Sequence, residues 1–551
     1  MAILIQYLKR LSIHRDVIVL LLAAAFFVIL TSYASTGLSA RFVSPDETAN
    51  YYFTKTFAQQ GALRVAEPLN AVMPAIVAPR SMGIADGFLV PVSFIGLPLM
   101  YGLVAKVVGL WIIRYITPII AMIGGLVFYW LIRRMFGRSI GLAAALLLFL
   151  HPAFWYFTAR SMMHNASFVS LTIIAAYYFV RMISNGRFWS YGLFGLSLGA
   201  ALLFRTVEGI WLIPLFGLLI VFAQKKLRWR LILVTLAGGA LMIIPMLIIN
   251  RQLYGSVFAF GYSPSAVASD SVTALVQGIG GKIGQALFPF GLRMGDAWHN
   301  WTAYYLRLFP WYGIPALIGW LWFLINWFQE WRKKVAAAPN RKCQRIYFVA
   351  MTLVSVWLIF YYGSWRIQEF ENPNQLILGH SYIRYWLPVY IFGLPFVILG
   401  VREIINRLPV RLRRASAALI VLVFVIASMK LVVLDPLYGL AKVRADISEY
   451  SLINKQVQLA TPFDAVVLAG KADKVVFPER SAIAQDPFTD EVVAQRVREI
   501  MRQRPVYYYC SFTEGWCQAG RTTGILNRGH FRLDKPTDLF HGNLIYRLSS
   551  D

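Results

Sequence analysis

Two adjacent carboxylates, Asp46 and Glu47, stand in the segment Ser44-Pro45-Asp46-Glu47, a few residues after the first long apolar run ends. Acids placed just outside a membrane are the place to look for chemistry in such a chain. A structural explanation competes with that reading. Ser44 followed three residues later by Glu47 has capping-box spacing, and Pro45 sits where a missing N–H costs nothing. Carboxylates there also suit the positive end of a helix dipole. From Thr48 to Gln60 the pattern predicts a helix with Ala49, Tyr52, Phe53 and Phe57 on one face, stopped by Gly61.

The rest of the chain determines where that helix lies. The 551 residues are 58% hydrophobic, with a mean hydropathy of +0.58, and many runs approach the ~20 residues that span hydrocarbon. This composition predicts a polytopic membrane protein. The first run, Val17 to Leu38, is read as a span and not as a cleaved targeting segment. The net charge of +27 does not point to nucleic acid, because the basic residues cluster in short segments between apolar runs. Such clusters include Lys9, Arg10 and Arg15; Arg133, Arg134 and Arg138; Arg181 and Arg187; and Lys225, Lys226, Arg228 and Arg230. Larger ones lie around Arg332 to Arg345 and Arg402 to Arg414. All are assigned to the cytoplasm.

An even number of crossings must separate consecutive cytoplasmic clusters. Three apolar runs precede Arg133, so one of them cannot span. The run 88 to 108, interrupted by Pro91, Gly96, Pro98, Gly102 and Lys106, is the one expected to be re-entrant or surface-lying. Eleven crossings result, at about 17–38, 110–132, 139–157, 166–183, 190–204, 206–223, 231–249, 303–327, 346–362, 385–401 and 415–434. The N-terminus is then inside. Residues 1–434 form a transmembrane domain with outer loops 39–109 and 250–302, and residues 435–551 form a small extracytoplasmic α/β domain. Within the latter, 465–468, 506–509 and 543–548 read as strands and 490–504 as an amphipathic helix. Cys510 and Cys517 could pair on that oxidising side, whereas Cys343 lies alone in a cytoplasmic loop.

Cationic side chains recur at the outer boundary: Arg80, Arg160, Arg205, Lys282, Arg293 and Arg384. Each alone can be a snorkelling residue. Several converging on one cavity would bind an anionic headgroup such as a lipid phosphate, for which the arginine fork is suited. Two segments stand out. Arg160-Ser161-Met162-Met163-His164-Asn165 forms a turn between spans, in which His164 can bind, shuttle a proton or simply hydrogen-bond. His380 to Pro388 enters a span from outside, and Arg384 and Tyr385 lie at interface depth within it. No phosphate-cradling glycine loop with lysine, HExxH, paired CxxC or DxD motif is present, and the lone Asp-Glu pair gives little reason to require a cation.

Taken together, these motifs resemble the GT-C superfamily of integral-membrane glycosyltransferases, in the branch of protein O-mannosyltransferases and lipid A aminoarabinose transferases. The resemblance spans most of 1–434. It rests on Asp46-Glu47 and its helix, the run Arg133-Arg134-Met135-Phe136-Gly137 into a span with Pro152, Arg205-Thr206 followed by Pro214, Asn250 to Tyr262, and Arg384-Tyr385-Trp386-Leu387-Pro388. It implies transfer of a sugar from a polyprenyl-phosphate donor to a lipid, glycan or protein acceptor on the outer side of the plasma membrane. By the same resemblance Asp46 is the catalytic base, Glu47 positions substrate or tunes Asp46, and Arg384, Arg160 and Arg80 are phosphate ligands. The turn between the third and fourth spans reads His164-Asn165 where many relatives carry a second acid, which argues against a two-carboxylate mechanism. A lipid-linked sugar flippase and a polysaccharide ligase or polymerase are the alternatives.

Overall fold

Helices dominate the computed structural model, which describes residues 2–35, 40–72, 76–259, 261, 291–333, 340–367, 375–485, 490–511 and 531–550. Eight are long and apolar enough to cross a membrane: Arg15–Tyr33, Leu110–Phe136, His164–Asn185, Thr206–Lys226, Trp229–Tyr254, Arg341–Gly363, Leu387–Asn406 and Val410–Val433. Two further pairs pass that test only as broken units. Arg138–Leu150 and Pro152–Ala159 meet at 51°, and Met294–Arg307 and Pro310–Arg332 at 107°. Proline opens the second helix of each pair, and a proline cannot continue the hydrogen-bond ladder of the turn before it. His151 caps the first break, its Nδ1 accepting from the Ala153 amide at 3.2 Å.

The other expected crossing, 190–204, falls on the shorter apolar helix Phe188–Phe204. The interrupted run 88–108 divides into a strand, Phe88–Pro91, and a 13-residue helix, Gly96–Val108, too short to span. The chain is an integral membrane protein with eight to ten candidate spans among the described residues and a small α/β region near its end.

Two compact units make up the chain. The first comprises residues 1–34, 115–243 and 275–442 and holds most of the long helices. Its helices approach closely where glycine faces backbone. A Cβ on Gly319 would lie 1.9 Å from the Phe396 carbonyl oxygen, and one on Gly400 would lie 1.9 Å from that of Pro315. Membrane helices, lacking a hydrophobic drive between them, use such small residues to gain contact.

The second unit comprises residues 35–114, 244–274 and 443–551. Its larger sheet runs in the order Ser481–Ile483, Val466–Leu468, Val506–Cys510, Leu544–Ser550, Phe531–Leu533. The first three strands are parallel, and Leu544–Ser550 pairs antiparallel with its neighbours. Alternation along Val466-Val467-Leu468 sends side chains to opposite faces. Val466 and Leu468 meet Val493, Val497 and Ile500 of the helix Glu491–Met501, while Val467 meets Ile453 and Val457 of the helix Leu440–Ala460. Leu69, Ile76 and Val77, from the first long loop, complete the former core. Cys510 is buried and disulfide-bonded; its expected partner Cys517 lies outside the described residues.

That first loop also carries a three-stranded antiparallel sheet, with Phe88–Pro91 between Val65–Ala66 and Met82–Ala85. Asp86-Gly87 makes the hairpin turn, both residues at positive φ, as a two-residue loop of this kind requires.

Candidate active site

The helix Pro45–Gln60 carries Asp46 and Glu47 in its first turn and ends on Gly61 at φ 73°, whose amide donates to the Phe57 carbonyl. Ser44 is the N-cap residue, with extended backbone, but its side chain makes no cap hydrogen bond. The spacing therefore produces the helix start without the full reciprocal box. Ala49 and Phe53 are buried, as their periodicity predicts, and Asn50 and Thr54 are buried with them. The reason is the helix Gly96–Val108 alongside. A Cβ on Gly102 would come within 2.8 Å of the Phe57 ring and 3.1 Å of the Thr54 carbonyl, so only glycine lets the two helices close to this distance.

The two acids differ in environment. Glu47 is 2% exposed, whereas Asp46 is only partly buried. Ser81 Oγ donates to Asp46 Oδ1 at 2.6 Å. Ser81 holds φ +62°, a left-handed backbone that non-glycine residues seldom adopt. Arg80, next to it, is engaged elsewhere in the same unit. Its Nε and Nη2 donate to Asp473 Oδ1 at 3.1 and 2.8 Å, and its amide donates to Asp473 Oδ2 at 2.6 Å.

The first unit assembles a separate cationic cluster. His164 and Asn165, expected in the turn, instead begin the helix His164–Asn185, and Asn165 Nδ2 donates to the Arg384 carbonyl at 3.0 Å, joining that helix start to the segment 380–388. Arg384 reaches Ser381 Oγ at 3.1 Å and Met163 Sδ at 3.5 Å, and its guanidinium lies 5.2 Å from the Tyr385 ring centroid. It is partly exposed. Arg160 and His164 are buried at 7% and 6% exposure, and Arg160 donates to the Tyr156 hydroxyl at 3.0 Å.

Arg205 is buried and ion-paired with Glu208, Nε donating to Oε1 at 2.9 Å. The Tyr362 hydroxyl accepts from Arg205 at 3.0 Å and donates to Glu208 at 2.6 Å, and Trp211 Nε1 donates to the other Glu208 oxygen. The Tyr385 ring stacks on Tyr362 at 4.5 Å and faces the Arg205 guanidinium at 5.0 Å. Arg205, Tyr385 and Arg384 thus form one aromatic and cationic group.

Glu208, Tyr362 and Ser81 were not anticipated. The i,i+3 spacing of Arg205 and Glu208 was a usable signal for the first; nothing local marks the other two. Arg293 is exposed, 3.9 Å from Asp296, which also pairs with Arg366 at 2.8 Å. Lys282 lies outside the described residues. Among the described residues no three His, Cys, Asp or Glu side chains come together as metal ligands.

Residues 92–249 match the family model described as dolichyl-phosphate-mannose-protein mannosyltransferase. Over that segment, less than half of the chain, the sequence is similar to this glycosyltransferase family. The fold agrees. ArnT from Cupriavidus metallidurans, solved with undecaprenyl phosphate bound, matches 96% of this chain and 97% of its own at 12% identity and a TM-score of 0.50. The Archaeoglobus fulgidus oligosaccharyltransferase in its apo form matches 90% of this chain and 69% of its own at 14% identity and a TM-score of 0.54. The same organism's AglB, in complex with an inhibitory peptide and a dolichol-phosphate, matches with the same coverage at 12% identity and a TM-score of 0.54. A search of curated protein sequences gave no significant match.

Proposed function

We propose that this glycosyltransferase moves a sugar from a polyprenyl-phosphate donor to a hydroxyl acceptor on the extracytoplasmic face, with Asp46 as general base. The basic clusters between spans support that orientation, since short loops rich in Lys and Arg favour the cytoplasmic side. One observation carries the assignment of the base: of two adjacent acids, Asp46 is only partly buried, its carboxylate held by Ser81, while Glu47 is buried. A base must reach the proton it takes and be held in one orientation to do so.

In the reaction the acceptor oxygen bonds to the anomeric carbon as its proton passes to Asp46. The bond from that carbon to the phosphate oxygen breaks, and the lipid phosphate leaves with the electron pair. Negative charge grows on the phosphate, where a guanidinium fork stabilises it most. Arg384 takes this role, because it is partly exposed and its planar fork suits a phosphate. Arg160 and His164, before and at the helix start tied to its backbone, shape the same group. Arg205 is neutralised by Glu208, so its part is to hold Tyr385 beside Arg384. Glu47 supports the start of the helix from its buried position. Arg293 and Lys282 remain candidate contacts for the headgroup or acceptor.

The direct test is sugar transfer by the purified protein from labelled polyprenyl-phosphate sugars to a host envelope extract. The wild type should label a product, and the Asp46→Asn variant should bind donor lipid but label none.

A further inference from the structure

Asp473 sits in a four-residue helical turn, Asp473–Val476, near the edge of the larger sheet, far in sequence from Asp46. It is 1% exposed, and an aspartate that buried requires strong partners. Arg80 supplies them with three donors, two from the guanidinium and one from the backbone amide. A fourth bond from Arg80, to the Lys471 carbonyl, fixes the guanidinium from the other side. The amide bond is the informative one, because it fixes main chain and not only a side chain. The next residue is Ser81, whose left-handed backbone aims its hydroxyl at Asp46. Strained backbone of this kind persists only where its surroundings hold it.

The same stretch of chain also grips the approach to Asp46 from the other side. Lys474 Nζ donates to the Val43 carbonyl at 3.0 Å, three residues before Asp46. Arg41 donates to the Phe477 carbonyl and pairs with Glu479. Residues 471–479 therefore hold both the segment that enters the Asp46 helix and the serine that bonds its carboxylate.

We infer that Asp473 is a positioning residue for the base: by fixing the Arg80 backbone it sets Ser81, and through Ser81 the orientation of the Asp46 carboxylate. This rests on Asp46 being the base. The C-terminal α/β region thereby becomes part of the catalytic apparatus without touching substrate, and Arg80 serves the carboxylate instead of the donor phosphate.

The test measures transfer from labelled undecaprenyl-phosphate sugar to host envelope extract, as the rate at saturating donor per folded molecule and the donor concentration at half-maximal rate. Four variants are compared: Asp473→Asn, Ser81→Gly, their combination, and Asp46→Asn. Glycine at 81 keeps the left-handed backbone at no steric cost and removes the hydroxymethyl group that carries the bond to Asp46. Asp473→Asn should lower the saturated rate roughly 10- to 100-fold, the scale of a small misplacement of a catalytic group, with half-saturation unchanged. Ser81→Gly should do the same, and the combination should be no worse than the poorer single variant, since both act through one hydrogen bond. Wild-type rate in Asp473→Asn, or losses that multiply in the combination, would overturn the inference. Where Asp473→Asn does not fold, Asp473→Glu, which keeps the charge but displaces the carboxylate from the Arg80 amide, reads the same link and has the same two outcomes. Loss of transfer in Asp46→Asn with none in Asp473→Asn refutes the positioning role alone, whereas transfer retained in Asp46→Asn refutes the base itself.

Discussion

Asn165 Nδ2 bonds the carbonyl oxygen of Arg384 at 3.0 Å, so the first turn of the helix His164–Asn185 sets the backbone from which the partly exposed arginine of the cationic cluster projects. If Arg384 meets the donor phosphate, its fork matters as well as its charge. Arg384→Ala should raise the donor concentration at half-maximal rate by about 10- to 100-fold, the worth of a charge-assisted hydrogen bond, and lower the saturated rate as well, because the charge it meets is largest in the transition state. Arg384→Lys should recover only part of that, because an ammonium cannot bond two phosphate oxygens in one plane. Titration of purified variants with labelled donor gives the comparison.

The Arg205–Glu208 pair is buried on both sides, at 5% and 2% exposure. Removing one member leaves an uncompensated charge, so Arg205→Met or Glu208→Leu should each destabilise the protein by about 3–5 kcal/mol. The double replacement should be milder than either single one, since it buries no charge. Thermal unfolding in detergent distinguishes the three, and a double variant worse than both singles would show that the pair contributes more than charge balance.

Gly400 and Gly319 meet backbone carbonyls across a helix pair at distances no side chain could occupy. Gly400→Val should force the helices Pro310–Arg332 and Leu387–Asn406 apart and cost about 1–3 kcal/mol or more. Gly217, whose Cβ would meet nothing within 4 Å, is the matched control, and Gly217→Ala should leave the unfolding temperature nearly unchanged.

Much of this architecture was legible in advance because it follows from hydropathy and charge. The long helices arise from runs that satisfy their own backbone bonds in lipid, and the strands Val466–Leu468, Val506–Cys510 and Leu544–Ser550 arise from short apolar runs. The helix Pro45–Gln60 was legible from its proline start and glycine stop. The small sheet of the first loop was not, because its strands are two to four residues long and show no alternation to read. Nor was the bond between Arg80 and Asp473, which are 393 positions apart. A single sequence carries no signal for contacts at such separation. Capping-box spacing at Ser44 and Glu47 was visible, yet the Ser44 side chain makes no cap bond, because spacing fixes where a side chain begins and tertiary packing fixes where it points.

The proposed reaction uses Asp46 and arginine and routes no step through a metal, and a lone Asp-Glu pair gives little reason to require a cation. Transfer should therefore survive treatment with EDTA followed by gel filtration, to within about twofold. Loss of activity on chelation with recovery on adding Mg2+ or Mn2+ would give the cation a part in holding the donor phosphate, as it has in many phosphate sites.

The most direct measurement is sugar transfer by Asp46→Asn beside Glu47→Gln, with donor-lipid binding followed in the same preparations. Both substitutions are nearly isosteric, so folding should survive. Asp46→Asn should bind labelled polyprenyl-phosphate sugar as the wild type does and lose transfer by at least about 100-fold, the lower range for general-base catalysis, while Glu47→Gln keeps measurable transfer. Transfer at the wild-type rate in Asp46→Asn would contradict the assignment of the base.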